Sequence, residues 1–185
     1  PGVADFIPRR EDAGFDGVGV HDHPHRGRDV YITLALAAAR TRRLRLYPPT
    51  SGPVVRHPLL VASAIHSLQE IAPGRVGLTV ARGFLAARAI GRSRGTVAVM
   101  HEAVLAIRRL LAGESAAFEG RTSRLLNTSA PAPAVYLLAP GPRMVGLAGV
   151  VDFIARCEDA GFDGVGVHDH PHRGRDVYMT LALAA

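Results

Sequence analysis

The sequence predicts an α/β fold, a parallel sheet of about five strands with helices packed against it. Three observations predict it. Short β-rich runs alternate with helical runs along the chain. The strand runs are apolar almost throughout, the pattern of strands buried on both faces. The polar, Gly- and Pro-rich stretches "HDHPH", "PPTSGP", "ARGFLAAR" and "APGPR" each follow a strand run, where sheets of this kind carry their sites.

The elements follow in order. Asp16–Asp22 ("DGVGVHD") reads as a strand, and "DVYITLALAAARTRR" as a helix with Asp29 as N-cap. Leu44–Pro48 is a second strand. "HPLLVASAIHSLQEIA" is a helix with Pro58 in its first turn, where proline is tolerated, and Pro73-Gly74 ends it. Arg75–Ala81 is a third strand. In "TVAVMHEAVLAIRRLLAG", Val97, Met100, Val104, Ile107 and Leu111 recur at helical spacing, and Gly113 closes the run. "ESAAFEGRTSRLLNTSAPAPA" is an excursion, with a hairpin as one form it can take. Ala134–Pro140 is a fourth strand, a helix follows from about Pro142, and Asp163–Asp169 is a fifth strand. Right-handed crossovers connect parallel strands of this kind.

The fifth strand repeats the first. Residues 2–38 align with 149–185 at an offset of 147, with four differences over 37 positions: Ala4/Val151, Pro8/Ala155, Arg10/Cys157 and Ile32/Met179. Residues 1–148 therefore form one part, of four βα modules, and residues 149–185 a near-identical copy of its opening. Eight such modules close a barrel, and an open sheet leaves two edges of unpaired backbone groups. A homo-oligomer is expected, with an element-swapped dimer as one form. Pro8 suits a helix start and disrupts a helix interior. A longer helix is expected before Asp163, where Ala155 replaces the proline, than before Asp16.

The net charge is +6, and every basic residue apart from histidine is an arginine. The arginines are scattered and no run interleaves them with aromatics, so nucleic acid is not an expected partner. Arginines facing an anionic small molecule, or a solvated basic surface, account for them better. Cys157 is the sole cysteine, which excludes an internal disulfide and fits a reducing cytoplasm. No apolar run reaches membrane-spanning length and no signal peptide opens the sequence, so a soluble, cytoplasmic protein is expected.

Asp22 and His23 close the first strand run. They read either as a polar pair at a pocket mouth, where an imidazole donates a hydrogen bond or moves a proton near neutral pH, or as a strand-end turn with Asp22 capping a helix. His21, His23 and His25 have the spacing of ligands on one strand face, but Pro24 breaks that geometry and no further ligand cluster is visible, so no metal is expected. Arg82, Gly83, Arg88 and Arg92 surround the turn after the third strand, as a phosphate-binding loop or as a solvated basic one. A helix beginning near Thr96 would add its N-terminal dipole. His57 and His66 read as structural, and Tyr47 is the aromatic best placed against a ring.

Taken in order, these segments resemble the luciferase-like monooxygenase superfamily of flavin and deazaflavin oxidoreductases, most nearly its methylenetetrahydromethanopterin reductase branch. The likeness runs from about Asp5 to Asp152 through "EDAGFDGVGVHDH", "TRRLRLYPPTSGPVVRHP", "SLQEIAPGRVGLTVARG", "RAIGR", "LLAGESAAFEGR" and "VYLLAPGPRMVGLAG". The resemblance implies a TIM-type (β/α) barrel, present here in part and completed by oligomerisation. It implies FMN or coenzyme F-420, with hydride transfer or oxygen activation on a small organic substrate. It assigns catalytic positions to Asp22 and His23 and their copies Asp169 and His170. It assigns cofactor-binding positions to Ser51, Gly52, Pro53, Arg82, Gly83, Arg88 and Gly141. The sequence departs from the family at Tyr47-Pro48-Pro49-Thr50, at Thr79 and Ala81, and at Pro140. The rival expectation is a non-catalytic, self-associating half-barrel scaffold that has lost its cofactor.

Overall fold

The computed structural model describes residues 2–128, 132–138 and 164–166. The chain divides into two compact units, Pro1–Ala134 and Val135–Ala185. The expected boundary at 148/149 lies outside the described residues.

The first unit opens with two short helices, α1 (Val3–Phe6) and α2 (Pro8–Asp12). Pro8 stands at the start of α2 and Ile7 separates it from the preceding turn of helix. The segment before Asp163, where a longer helix is expected, lies outside the described residues. Strand β1 (Gly17–Gly19) leads through a 3-10 turn (Pro24–Arg26) to α3 (Val30–Arg40). Asp29 caps α3 as its sequence predicts, accepting from the N–H of Tyr31 at 2.9 Å and of Ile32 at 3.1 Å. Strand β2 (Arg45–Tyr47) precedes α4 (Pro58–Ile71), which begins at its proline with His57 as N-cap. Strand β3 (Gly77–Val80) precedes α5 (Phe84–Ala89) and α6 (Val97–Leu111), where Thr96 Oγ1 accepts from the N–H of Val99. The excursion is an antiparallel hairpin of β4 (Ala116–Phe118) and β5 (Arg121–Ser123).

Strands β1 and β2 pair in parallel, with Gly17 opposite Arg45 and Gly19 opposite Tyr47. Parallel bridges Leu46–Val76 and Ser51–Val80 carry β2 onto β3. Strand β6 (Ala134–Leu138) pairs in parallel, through Tyr136–Leu138 of the second unit, with β7 (Gly164–Gly166), the copy of β1.

Helix α4 packs between α3 and α6. Val30, Leu34, Val61, Ile65, Leu68, Val104 and Leu110 are almost wholly buried there, with Leu46, Leu78 and Val80 from the strands. This apolar layer is the main source of cohesion, at about 1.5–3 kcal/mol for each fully buried large side chain.

The expectation of strands buried on both faces is corrected. Burial alternates along β2 and β3: Leu46, Leu78 and Val80 are buried, while Arg45 and Tyr47 are exposed and Gly77 and Thr79 are half-buried. Side chains alternate across a strand, and within this unit the helices cover one face of it. The other face has apolar letters for a different reason. Glycines stand at 17, 19 and 77, and a Cβ at Gly19 would meet the Tyr47 ring at 3.1 Å and Pro49 at 3.0 Å.

Two clasps lock the end of the sheet where the strands begin. Arg75 donates to the carbonyls of Ala38 and Leu44 and to Thr41 Oγ1, capping the C-terminus of α3. Glu11 accepts from the backbone N–H groups of Arg42, Arg43 and Leu44. Burial pushes its carboxyl up, but these N–H groups and the charge of Arg43 outweigh it and hold it below its ordinary value. Because the folded value lies under the unfolded one, the stabilisation is present above about pH 4.3 and is lost as pH falls through the folded value. Glu11→Gln is therefore expected to lower stability near neutral pH by about 1 kcal/mol, solvent exposure keeping the effect small. It is also expected to flatten the acid limb of a stability–pH curve measured by urea unfolding. An unchanged acid limb would show that the clasp contributes nothing.

Candidate functional site

At the opposite end, the loops that leave β1 and β2 meet around a buried carboxylate. Asp22 is 4% exposed. Its Oδ2 accepts from Ser51 Oγ at 2.8 Å and from Arg56 Nε at 2.8 Å, and its Oδ1 accepts from Arg56 Nη2 at 3.0 Å. The guanidinium thus grips it bidentately, the strong geometry for such a pair. Arg56 Nη2 also donates to Asp29 Oδ2 at 2.6 Å. Tyr31 OH donates to Ser51 Oγ at 3.0 Å, and the Arg56 guanidinium lies 5.0 Å from the centre of the Tyr31 ring. One continuous network therefore runs from Tyr31 through Ser51, Asp22 and Arg56 to Asp29, the N-cap of α3.

The charges follow from this arrangement. Burial opposes the charged form of Arg56, but its bonds to Asp22 and Asp29 outweigh that and raise its pKa. Burial also raises Asp29, yet the Arg56 bond and the N–H groups of Ile32 and Tyr31 bring it below its ordinary value. Burial drives the Tyr31 phenol upward, so it stays protonated and remains a donor. Asp22 does not cap a helix. The cap is Asp29, and Asp22 joins it through the shared arginine.

His23 follows Asp22 but stands outside this network, half-buried and stacked between His21 and His25 at ring-centre distances of 5.1 and 5.4 Å. Partial burial lowers its pKa most. His21, Arg26 and His25 lower it further, and Asp22 opposes them. The imidazole is therefore neutral at neutral pH, with one nitrogen to donate and one to accept. The three rings stack instead of converging on a point, and among the described residues no three His, Cys, Asp or Glu side chains gather as metal ligands.

The third loop closes on the second. The N–H of Ser51 donates to the carbonyl of Thr79, and that of Ala81 to the carbonyl of Ser51. A Cβ on Gly52 would lie 2.8 Å from the Ala81 carbonyl oxygen and 3.3 Å from Gly83 Cα. Gly83, at φ +70°, turns the chain into α5. Arg82 Nε donates to the Gly95 carbonyl at 2.6 Å, and the Gly95 N–H donates back to the Arg82 carbonyl, so this pair closes the base of the α5 excursion. Helix α5 packs against the 3-10 turn of the histidine loop and carries the exposed Arg88.

The structure thus brings Asp22, His23, Ser51, Gly52, Arg82 and Gly83 to one rim. Pro53 lies half-buried beside Gly95, and Arg88 sits on the bordering helix. Gly141, Asp169 and His170 lie outside the described residues. Sequence reasoning missed Arg56 and Tyr31, and took Asp29 as a cap alone. The available signal was an arginine in "VVRHP", between a strand end and a proline-started helix, in a chain with a buried-type aspartate closing the preceding strand.

The model of the luciferase-like monooxygenase family matches residues 2–152. The chain is 34% identical over 156 residues to a 5,10-methylenetetrahydromethanopterin reductase of Methanolobus tindarius, a match over 80% of this chain and 47% of that protein. It is 33% identical over 202 residues to an F420-dependent glucose-6-phosphate dehydrogenase of Kineococcus radiotolerans, over 99% of this chain and 56% of the other. A monooxygenase structure from Streptomyces bottropensis superposes with a TM-score of 0.72 at 27% identity, over 98% of this chain and 57% of its own. The coenzyme F420 dependent tetrahydromethanopterin reductase of Methanopyrus kandleri shares the fold, with a TM-score of 0.66 at 23% identity, over 89% of this chain and 60% of its own. The chain spans about half the length of the curated relatives it matches.

Proposed function

This chain belongs to the luciferase-like monooxygenase family, and from that premise we propose that it is part of an oxidoreductase that binds coenzyme F-420 and acts on a small organic substrate. The family match over residues 2–152 carries the reading. F-420 is placed ahead of FMN because relatives 32–35% identical to this chain are named as F420-dependent enzymes. FMN is the second reading, favoured by the likeness to the Streptomyces monooxygenase.

The residues at the rim fit such a cofactor. The ring of a deazaflavin or flavin is planar and edged with acceptors, and its side chain is anionic. His23 offers a neutral imidazole, Tyr47 a ring 37% exposed on the uncovered sheet face, and α5 the Arg88 guanidinium. When bound, the cofactor supplies the hydride chemistry, and the protein supplies orientation and electrostatics. His23 donates a hydrogen bond at the ring edge or holds a proton there. Arg88 and the Gly83 turn face the anionic side chain, with Pro53 and Arg82 shaping the loop beneath it. Asp22, Ser51 and Gly52 hold that rim in position. Gly141, Asp169 and His170 are the further positions proposed for the site.

In this reading the chain also forms a homo-oligomer, with an element-swapped dimer as one form. Light scattering is expected to show a dimer at micromolar concentration, and a monomer would remove that part of the reading.

Titration with F-420 and with FMN, followed by quenching of cofactor fluorescence, tests the activity. Saturable binding is expected, and His23→Ala is expected to weaken it about tenfold, the worth of one hydrogen bond. A protein that ignores both cofactors would overturn the reading in favour of the scaffold.

A further inference from the structure

We propose that Arg56 is a positioning residue for His23: it takes up the Asp22 carboxylate and leaves the neighbouring imidazole without an acid to pair with. This deepens the functional reading above and rests on it for what His23 does at the cofactor, though not for its charge.

A carboxylate beside an imidazole ordinarily accepts from it and favours its charged form. Asp22 and His23 are consecutive, yet the structure diverts that pairing. Arg56 Nε and Nη2 occupy one oxygen each of Asp22, and Ser51 Oγ fills a second place on Oδ2. Ser51 is itself held, because its oxygen accepts from the Tyr31 hydroxyl. Among the described residues no hydrogen bond joins Asp22 to His23. The imidazole stacks between those of His21 and His25 instead.

The charges agree with this geometry. His21, His25 and Arg26 share the loop with His23, and Arg88 stands on α5, which packs against its 3-10 turn. The acids set against them are Asp22 and Asp29, and Arg56 binds both. Asp29 also faces the N-terminus of α3, where the N–H groups of Tyr31 and Ile32 take up its charge. Arg56 thus cancels Asp22 at short range, and the surrounding cations prevail. Burial, His21, Arg26 and His25 hold His23 below its ordinary value against the weaker pull of Asp22. A lone pair on its ring is therefore available at neutral pH to accept a proton.

Histidine NMR on the cofactor-free chain tests this. Of the nine histidines, His23 is the one whose signal is lost in His23→Gln. In the parent its titration midpoint is expected below about 6.5. Arg56→Gln uncovers Asp22 and is expected to raise the midpoint by about one pH unit, roughly a tenfold gain in proton affinity. Arg56→Lys keeps a charge near Asp22 and is expected to raise it by less. Asp22→Asn leaves the guanidinium uncancelled and is expected to lower it. The double variant Asp22→Asn/Arg56→Gln is expected near the parent.

A merely structural role gives a different pattern. A loosened loop exposes His23 and carries every variant upward, toward the ordinary value. Opposed shifts for the Arg56 and Asp22 substitutions therefore support the proposal. Midpoints that move together, or do not move, overturn it. If Arg56→Gln fails to fold, Arg56→Lys with Asp22→Asn decides by the same signs. Cofactor titration of the parent reports on the functional reading separately: a chain that ignores F-420 and FMN while showing the opposed shifts loses that reading and keeps this one.

Discussion

Arg56→Ala is expected to cost about 3–5 kcal/mol of folding stability, the range for removing one partner from a buried ion pair. The reason is what remains. Asp22 is 4% exposed and the Arg56 side chain 22%, so water cannot easily replace the lost guanidinium. Asp22 would keep one hydroxyl donor, from Ser51, for a carboxylate that now receives three bonds. Asp29 would lose its ion pair as well, loosening the cap of α3. Arg56→Lys is expected to recover less than half of the loss, since an ammonium cannot span both oxygens of Asp22 and reach Asp29. Asp22→Asn in the Arg56→Ala background is expected to recover part of the loss, because the orphaned charge is gone. Urea unfolding of the parent chain, Arg56→Ala, Asp22→Asn and the double variant completes a double-mutant cycle. Additive losses at the two positions would show that the pair is not coupled and that the network is incidental.

Substitutions at Gly52 and Gly83 are expected to fail for different reasons, and the difference is measurable. At Gly52 the obstacle is space: the Ala81 carbonyl would sit 2.8 Å from a new Cβ, and backbone cannot rotate away as a side chain can. Gly52→Ala is expected to cost about 1–3 kcal/mol as an overpacking change, with Gly52→Asn costing at least as much. At Gly83 a Cβ meets nothing nearer than 4.0 Å, but φ is +70°. The obstacle there is the left-handed backbone, at about 1–2 kcal/mol for an ordinary residue and less for asparagine. Gly83→Asn is therefore expected to be milder than Gly83→Val. Because both glycines set the spacing of two rim loops, cofactor affinity is expected to fall more steeply at Gly52. Equal tolerance of alanine and asparagine at both positions would refute the close approach.

The elements legible in the sequence were those whose cause is local. Asp29 caps α3 through N–H groups two and three residues on. Pro58 and the spacing of Met100, Val104, Ile107 and Leu111 carry their helices within their own segments. Strand existence was legible too, but not which strand faces are covered. Gly17 and Gly19 looked apolar and served instead to let Arg45 and Tyr47 lie across the open face.

The site divides the same way. Strand-end polar residues marked the rim, because a parallel sheet brings the exits of its strands to one end. What each residue does there was settled by partners far away in the chain. Ser51 and Arg56 meet Asp22 across 29 and 34 positions, and Glu11 meets Arg42 across 31. By itself the sequence determined the longer helices, the strands and the position of the polar loops, since these depend on periodicity, caps and turns within a few residues, while the likeness to the family rests on its motifs taken in order. Tertiary structure alone decided that Asp22 is locked to Arg56, that His23 stands neutral beside it, and that Gly52 lies against the Ala81 carbonyl. Burial and ion pairing are properties of surfaces brought together by folding, and no short stretch of chain contains both sides of them.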